Sequence, residues 1–128
     1  MKLLKYLTVA IWIVAIATTW TKYRGSTGLY APYINVIWCS DEFSCLHEVG
    51  HFVDTKLDNP SQSEEFRVAV QNCIETCANQ ELRNMLIEFP IENGCFEWGG
   101  YRELYAELYA LYQSDFQLPY ELIAFFKE

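Results

Sequence analysis

Apolar residues recur along most of this chain at the three-and-four spacing of a helix face. Phe66, Val70, Cys73, Ile74 and Cys77 form one such stripe, and Leu82, Met85, Leu86 and Phe89 form a second, shorter one. Leu104, Leu108 and Leu111, with Ala106 and Ala110 among them, form a third along Tyr101 to Gln113. The punctuation between the stripes fits. Ser61 with Glu64 reads as a capping box at the head of the first. The stretch from Pro90 to Gly100, with Asn93-Gly94 and Gly99-Gly100, reads as a loop before the third. Pro119 suits the first turn of a last helix reaching Lys127. Upstream, Ser40 and Asp41 are N-cap residues for a helix that should end before Asp58-Asn59-Pro60. Tyr33 to Trp38, rich in β-branched and aromatic residues, reads as a strand, and Tyr23 to Pro32 as a linker. The expected class is mainly α with a small β element, an α+β arrangement.

The first residues break this pattern. Lys2 and Lys5 form a basic start, Leu7 to Ala17 is an uncharged apolar run, and Trp20 and Tyr23 follow. Ala15-Ile16-Ala17 suits a cleaved signal peptide. Tyr6 to Trp20 also suits a short membrane anchor with aromatic edges. Residues 1–22 are therefore read as a signal peptide or anchor, 23–32 as a linker, and 33–128 as the folded domain. On either reading the protein is membrane-anchored or secreted, with the domain on the extracytoplasmic side.

Composition narrows the partners. A net charge of −8 repels nucleic acid, which is excluded as a partner. A hydrophobic content of 52% excludes a disordered chain. Five cysteines, at 39, 45, 73, 77 and 95, include no C-x-x-C pair, so no zinc ribbon is indicated. Behind an export segment they imply disulfides. Cys73 and Cys77 lie on one expected helix, where bonding to each other would need poor geometry, so partners elsewhere are expected.

The chemistry concentrates in His47-Glu48-Val49-Gly50-His51, which holds both histidines of the chain. Residues four apart share a helix face, so two imidazoles can grip one metal ion. Glu48 between them is positioned to act as general base on a metal-held water. Zinc is the expected ion, because catalytic zinc takes such a pair plus a carboxylate and leaves one position open. A second helix should bring that carboxylate. Glu103 and Glu107 are four apart on one face, so one can bind the ion while the other orients a histidine through its far nitrogen. Asp54, three residues after His51, is a rival ligand.

The run from His47 to Asp54, with Glu103-Leu104-Tyr105-Ala106-Glu107 some fifty residues later, resembles the zincins of the gluzincin type. The closest resemblance is to the anthrax-lethal-factor-like catalytic domain and the secreted Pro-Pro endopeptidases, which have H-E-x-G-H-x-x-D and a later E-x-x-A-E. It covers roughly Tyr33 to Gln113 and is specific at the two motifs. It implies a compact zincin-like helical domain with His47, His51 and Glu103 as zinc ligands, Glu48 as base, Glu107 as support to the ligands and Asp54 as a structural helix residue. Those families place an active-site tyrosine seven residues before the ligand Glu. Phe96 stands there, and Tyr101 is the nearby substitute for stabilising the oxyanion. The function implied is zinc-dependent hydrolysis of a peptide or protein substrate, with Ile34 to Trp38 aligning the substrate. The alternative is a membrane-tethered zinc-binding module that keeps the shell without turnover.

Overall fold

The computed structural model describes residues 28–93 and 99–127. The segment read as signal peptide or anchor, together with Cys95 and Phe96, lies outside the described residues. Among those described, no helix is long and apolar enough to cross a membrane. The fold is mainly helical with one two-stranded antiparallel sheet, as the sequence pattern led us to expect.

The chain opens on a hairpin, β1 (Gly28–Ala31) and β2 (Val36–Cys39), in the register Gly28↔Cys39 to Ala31↔Val36. This corrects two expectations. The supposed linker contributes β1, and the strand expected over 33–38 starts later, because Pro32 to Asn35 is spent on the turn. Asn35 sits there at φ 50°, a left-handed conformation that asparagine tolerates better than most residues. A short Gly-containing strand beside a proline carries little strand signal of its own and is recruited by pairing.

Helix α1 (Glu42–Lys56) follows at once. Asp41 is its N-cap, accepting a hydrogen bond from the Ser44 N–H at 2.9 Å. The Cys39 and Cys45 sulfurs stand at disulfide distance, tying the end of β2 to the first turns of α1. After α1 the chain turns through Asp58 and Asn59, both at positive φ, into a 3-10 turn, Pro60–Gln62. Helix α2 (Glu64–Thr76) is capped by Ser63, whose hydroxyl accepts from the Phe66 N–H. The cap is thus Ser63 and not Ser61. The buried Ser61 hydroxyl instead donates to Asp54 at 2.7 Å, and its N–H bonds the same carboxylate at 2.9 Å.

Cys73 and Cys77 also stand at disulfide distance, contrary to expectation. Cys77 is the C-cap and has left the helix (φ −60°, ψ 127°), so its Cα comes to 5.1 Å from that of Cys73. That lies inside the normal range for a disulfide, about 4.4–6.8 Å. The geometric objection applied only if both residues were helical.

Helix α3 (Gln80–Asn93) runs through Pro90 rather than ending before it, so the expected loop begins later. Proline deletes one intrahelical hydrogen bond. Packing against α4 (Gly99–Gln113) is what holds this end in place. Gly100 allows the close approach, since a β-carbon there would fall 2.3 Å from the Pro90 carbonyl oxygen. The last helix, α5, is only Tyr120–Ile123, shorter than the pattern to Lys127 suggested.

The apolar core gathers Phe66, Val70 and Cys73 from α2, Leu82 and Leu86 from α3, Leu104, Tyr105 and Leu108 from α4, and Leu118, Leu122 and Phe126 from the C-terminal stretch. Phe66 meets Tyr105 and Phe125 edge to face, with ring centroids 5.5 and 5.2 Å apart. The buried Tyr105 hydroxyl donates to the Phe125 carbonyl at 3.0 Å and pins the C-terminal turn. Helix α4 is therefore the centre of the molecule: one face enters this core, and another meets α1.

Candidate metal centre

Helices α1 and α4 cross where both carry a small residue. A β-carbon on Gly50 would fall 2.7 Å from Ala106 Cα and 2.9 Å from Ala106 O, so the two backbones touch at that point. His47 and His51 stand three residues before and one after Gly50. Glu103 and Glu107 stand three before and one after Ala106. Both pairs therefore flank the crossing on the same side and meet across it. The glycine inside the H-E-x-x-H run and the alanine inside E-x-x-A-E have one physical cause, the contact between the helices that carry them.

His47 Nε2 lies 3.2 Å from Glu103 Oε2, and His51 Nε2 lies 3.5 Å from Glu103 Oε1. One donor atom from each of His47, His51 and Glu103 falls within 4.8 Å of the other two. Ligands at about 2.0–2.1 Å from one tetrahedral ion are about 3.4 Å apart, so small rotamer adjustments bring the three onto one centre. The other nitrogen of His47, Nδ1, is 2.9 Å from Glu107 Oε2. A carboxylate only accepts, so Nδ1 donates to Glu107, and Nε2, which faces the cluster, donates to Glu103 in the metal-free protein and is the atom free to bind an ion once it gives up that proton. The side chains of His47, His51 and Glu103 are 16, 14 and 27% exposed, which leaves the cluster open on one side for a further ligand.

Glu48 lies on the β1 side of the cluster, within electrostatic reach of His51, His47 and Glu103. It is 7% exposed and packs beneath β1, where a β-carbon on Gly28 would lie 2.7 Å from its Oε1. Burial raises its pKa above the usual carboxylate range, and the charge of Glu103 adds to this. His51, His47 and a hydrogen bond from the Tyr30 backbone act in the opposite direction. The strand beside Glu48 is thus β1, and Ile34 to Trp38, expected to line the site, belongs to the tip and the outer strand. For His47, burial opposes the charged imidazolium, but the hydrogen bonds and charges of Glu103 and Glu107 outweigh it and lift the pKa to about 9. Burial would raise the pKa of Glu103, yet His47 and His51 hold it well below the usual range.

No protein-family model, curated protein or solved structure matches the chain.

Glu48, Glu103 and Glu107 crowd around two imidazoles, an arrangement in which the carboxylates repel one another unless positive charge lies between them. In the absence of metal a doubly hydrogen-bonded imidazolium at His47 supplies that charge. A divalent ion on the two Nε2 atoms and Glu103 would supply more and would leave Glu107 its hydrogen bond from Nδ1. The donor set, two imidazoles and one carboxylate, fits such an ion.

Two residues named from the sequence lie apart from the cluster. The Tyr101 ring packs edge-on against Phe66 at 6.4 Å and beneath the Arg67 guanidinium at 5.2 Å. Positions two apart on a helix point about 200° from each other, so a side that turns Glu103 to α1 turns Tyr101 to α2. This placement does not support the oxyanion role read for Tyr101. Asp54 is no ligand here: it is 1% exposed and spends its carboxylate on Ser61, with the half-exposed Arg102 at 3.9 Å. Sequence reasoning overlooked Gly28, whose missing side chain makes room for Glu48. The only available signal was a glycine in the stretch taken for linker.

Proposed function

We propose that this chain is a zinc-dependent peptidase of the gluzincin type, carried to or across a membrane by its N-terminal segment. One observation carries the reading: the imidazoles of His47 and His51 and the carboxylate of Glu103 converge from two helices, with Glu107 on the far nitrogen of His47. His47, His51 and Glu103 would hold the ion, and Glu107 fixes the ring and tautomer of His47. Zinc bound there supplies Lewis acidity and lowers the pKa of water toward ~7. Glu48 takes a proton from the attacking water and returns it to the leaving nitrogen as the peptide bond breaks. Burial raises its pKa, which makes it the readier proton acceptor. The edge of β1, next to Glu48, is the surface for aligning an extended peptide.

The alternative is a zinc-binding module without turnover. The turn of Tyr101 toward Phe66 favours it, because it removes the oxyanion donor expected from the sequence.

One experiment separates the two. Purified protein loaded with zinc is offered a mixed peptide library, and zinc content is measured alongside. Under the peptidase reading, Glu48→Gln keeps its zinc and loses hydrolysis by ~10²–10⁴-fold, the usual contribution of a positioned base. Glu103→Ala loses zinc. Stoichiometric zinc with no hydrolysis in the unsubstituted protein would select the binding module. Full activity in Glu48→Gln would refute the mechanism, and failure of the unsubstituted protein to bind zinc would refute both readings.

A further inference from the structure

The opening hairpin leaves one face bare. Directly opposed residues in a hairpin share a face, so Leu29 with Trp38 and Ala31 with Val36 lie on the side away from Tyr30 and Ile37. Tyr30 packs edge-on against Phe52 of α1, with ring centroids 5.8 Å apart, which makes its face the inner one. On the outer face Trp38 is 59% exposed and Val36 is exposed as well. At the turn Tyr33 is fully exposed and Ile34 more than half. From Gly28 to Cys39 there is no charged residue, in a chain of net charge −8. Large apolar side chains clustered without a charge mark a contact surface.

We infer that the outer face and tip of this hairpin dock on the membrane–water interface, beside the N-terminal segment; the inference rests on the membrane-anchor reading of residues 1–22. Tyrosine and tryptophan suit this layer because each offers an apolar ring with one polar atom. Ile34, at the tip, is the apolar wedge. With no charge in the hairpin, insertion carries no ion-desolvation cost. The upstream apolar run ends at Ala17 and β1 opens at Gly28. Ten residues lie between them, and even fully extended they span at most about 40 Å, which keeps the hairpin within reach of the bilayer. A peptide substrate does not account for this surface, because it would pair with a strand edge rather than cover the outward face.

The test uses the full chain with Trp12, Trp20 and Trp98 changed to Phe, so that Trp38 is the only indole. It is reconstituted into phosphatidylcholine vesicles and recovered by flotation, and circular dichroism checks that the fold is retained. Trp38 emission should be quenched by lipids brominated near the headgroup end of the acyl chain, and its quenching by aqueous iodide should fall several-fold. Ile34→Asp at the exposed tip should reverse both effects. Protein that floats with Trp38 still open to iodide would overturn docking and leave the attachment standing. Trp38 shielded from iodide yet untouched by brominated lipid would also overturn it, showing that a second copy or the N-terminal segment covers the face. Quenching by lipid that Ile34→Asp leaves unchanged would overturn the role of the tip. Failure to float would overturn the attachment and the docking together.

Discussion

On the side of α4 that meets α1, contact is made by the smallest residues available. On the side that meets α2 and the C-terminal turn it is made by the largest. Gly50 and Ala106 bring two backbones into touch and leave the space on either side of the crossing to polar groups. Phe66, Tyr105 and Phe126 fill the other side with edge-to-face rings. The aromatic side supplies apolar burial, the main source of stability in a domain this small. The polar side gathers carboxylates and imidazoles whose burial costs free energy until they are paired. The first holds α4 in the position that the second requires.

The sharpest way to break the comparison is Phe66→Ala. It should cost about 3–5 kcal/mol of stability, a large share of the total for such a domain, while the fraction that remains folded binds metal with nearly unchanged affinity. Thermal melts and metal titration below the melting range check both halves. Gly50→Ala should show the reverse balance. Overpacking costs roughly 1–3 kcal/mol, but the β-carbon presses on the Ala106 backbone, which cannot rotate away, so the helices part and the metal is lost. A Gly50→Ala protein with wild-type metal affinity would show that the crossing does not set the ligand spacing. Next in size, Glu107→Ala should reduce metal affinity by ~10–100-fold without removing binding, through loss of the bond to His47 Nδ1.

The smallest effect is that of pH on the metal-free protein. His47 has its pKa raised from 6.5 to about 9, so its stabilising contribution is complete below 6.5 and lost as pH rises through about 9. Glu103 has its pKa lowered from 4.5, so its contribution is complete above 4.5 and lost as acid reaches its depressed value. Melting in the presence of chelator should therefore be highest between these limits and fall toward pH 9. Metal affinity should climb over that same upper range, because the ion displaces a proton from His47. Calorimetry in buffers of different ionisation enthalpy would count that proton.

What the sequence disclosed follows this division. The convergence of His47, His51, Glu103 and Glu107 was legible because helical spacing places each pair on one face and the two faces meet. The stripes of α2 and α4 were legible because burial selects apolar side chains at helical period. The misses lie where a tertiary partner decides the local structure. β1 exists because β2 pairs with it, and Cys77 reaches Cys73 because the helix ends there. Pro90 stays helical because α3 lies against α4. Tyr101 was assigned by its distance along the chain, although its direction around α4 sends it to Phe66.

The crossing at Gly50 and Ala106 has a consequence for how the chain folds. His47 and Glu103 are 56 positions apart, with all of α2 and α3 between them. An ion shared between them is a cross-link that closes this long loop, and it has nothing comparable to grip in the unfolded chain. Its binding energy is accordingly folding energy. The ion bridges the two helices only once α1 and α4 have met, and an interaction absent from the folding transition state slows unfolding more than it hastens folding. A metal-loaded molecule would then owe its persistence to a barrier against opening rather than to the depth of its folded state alone.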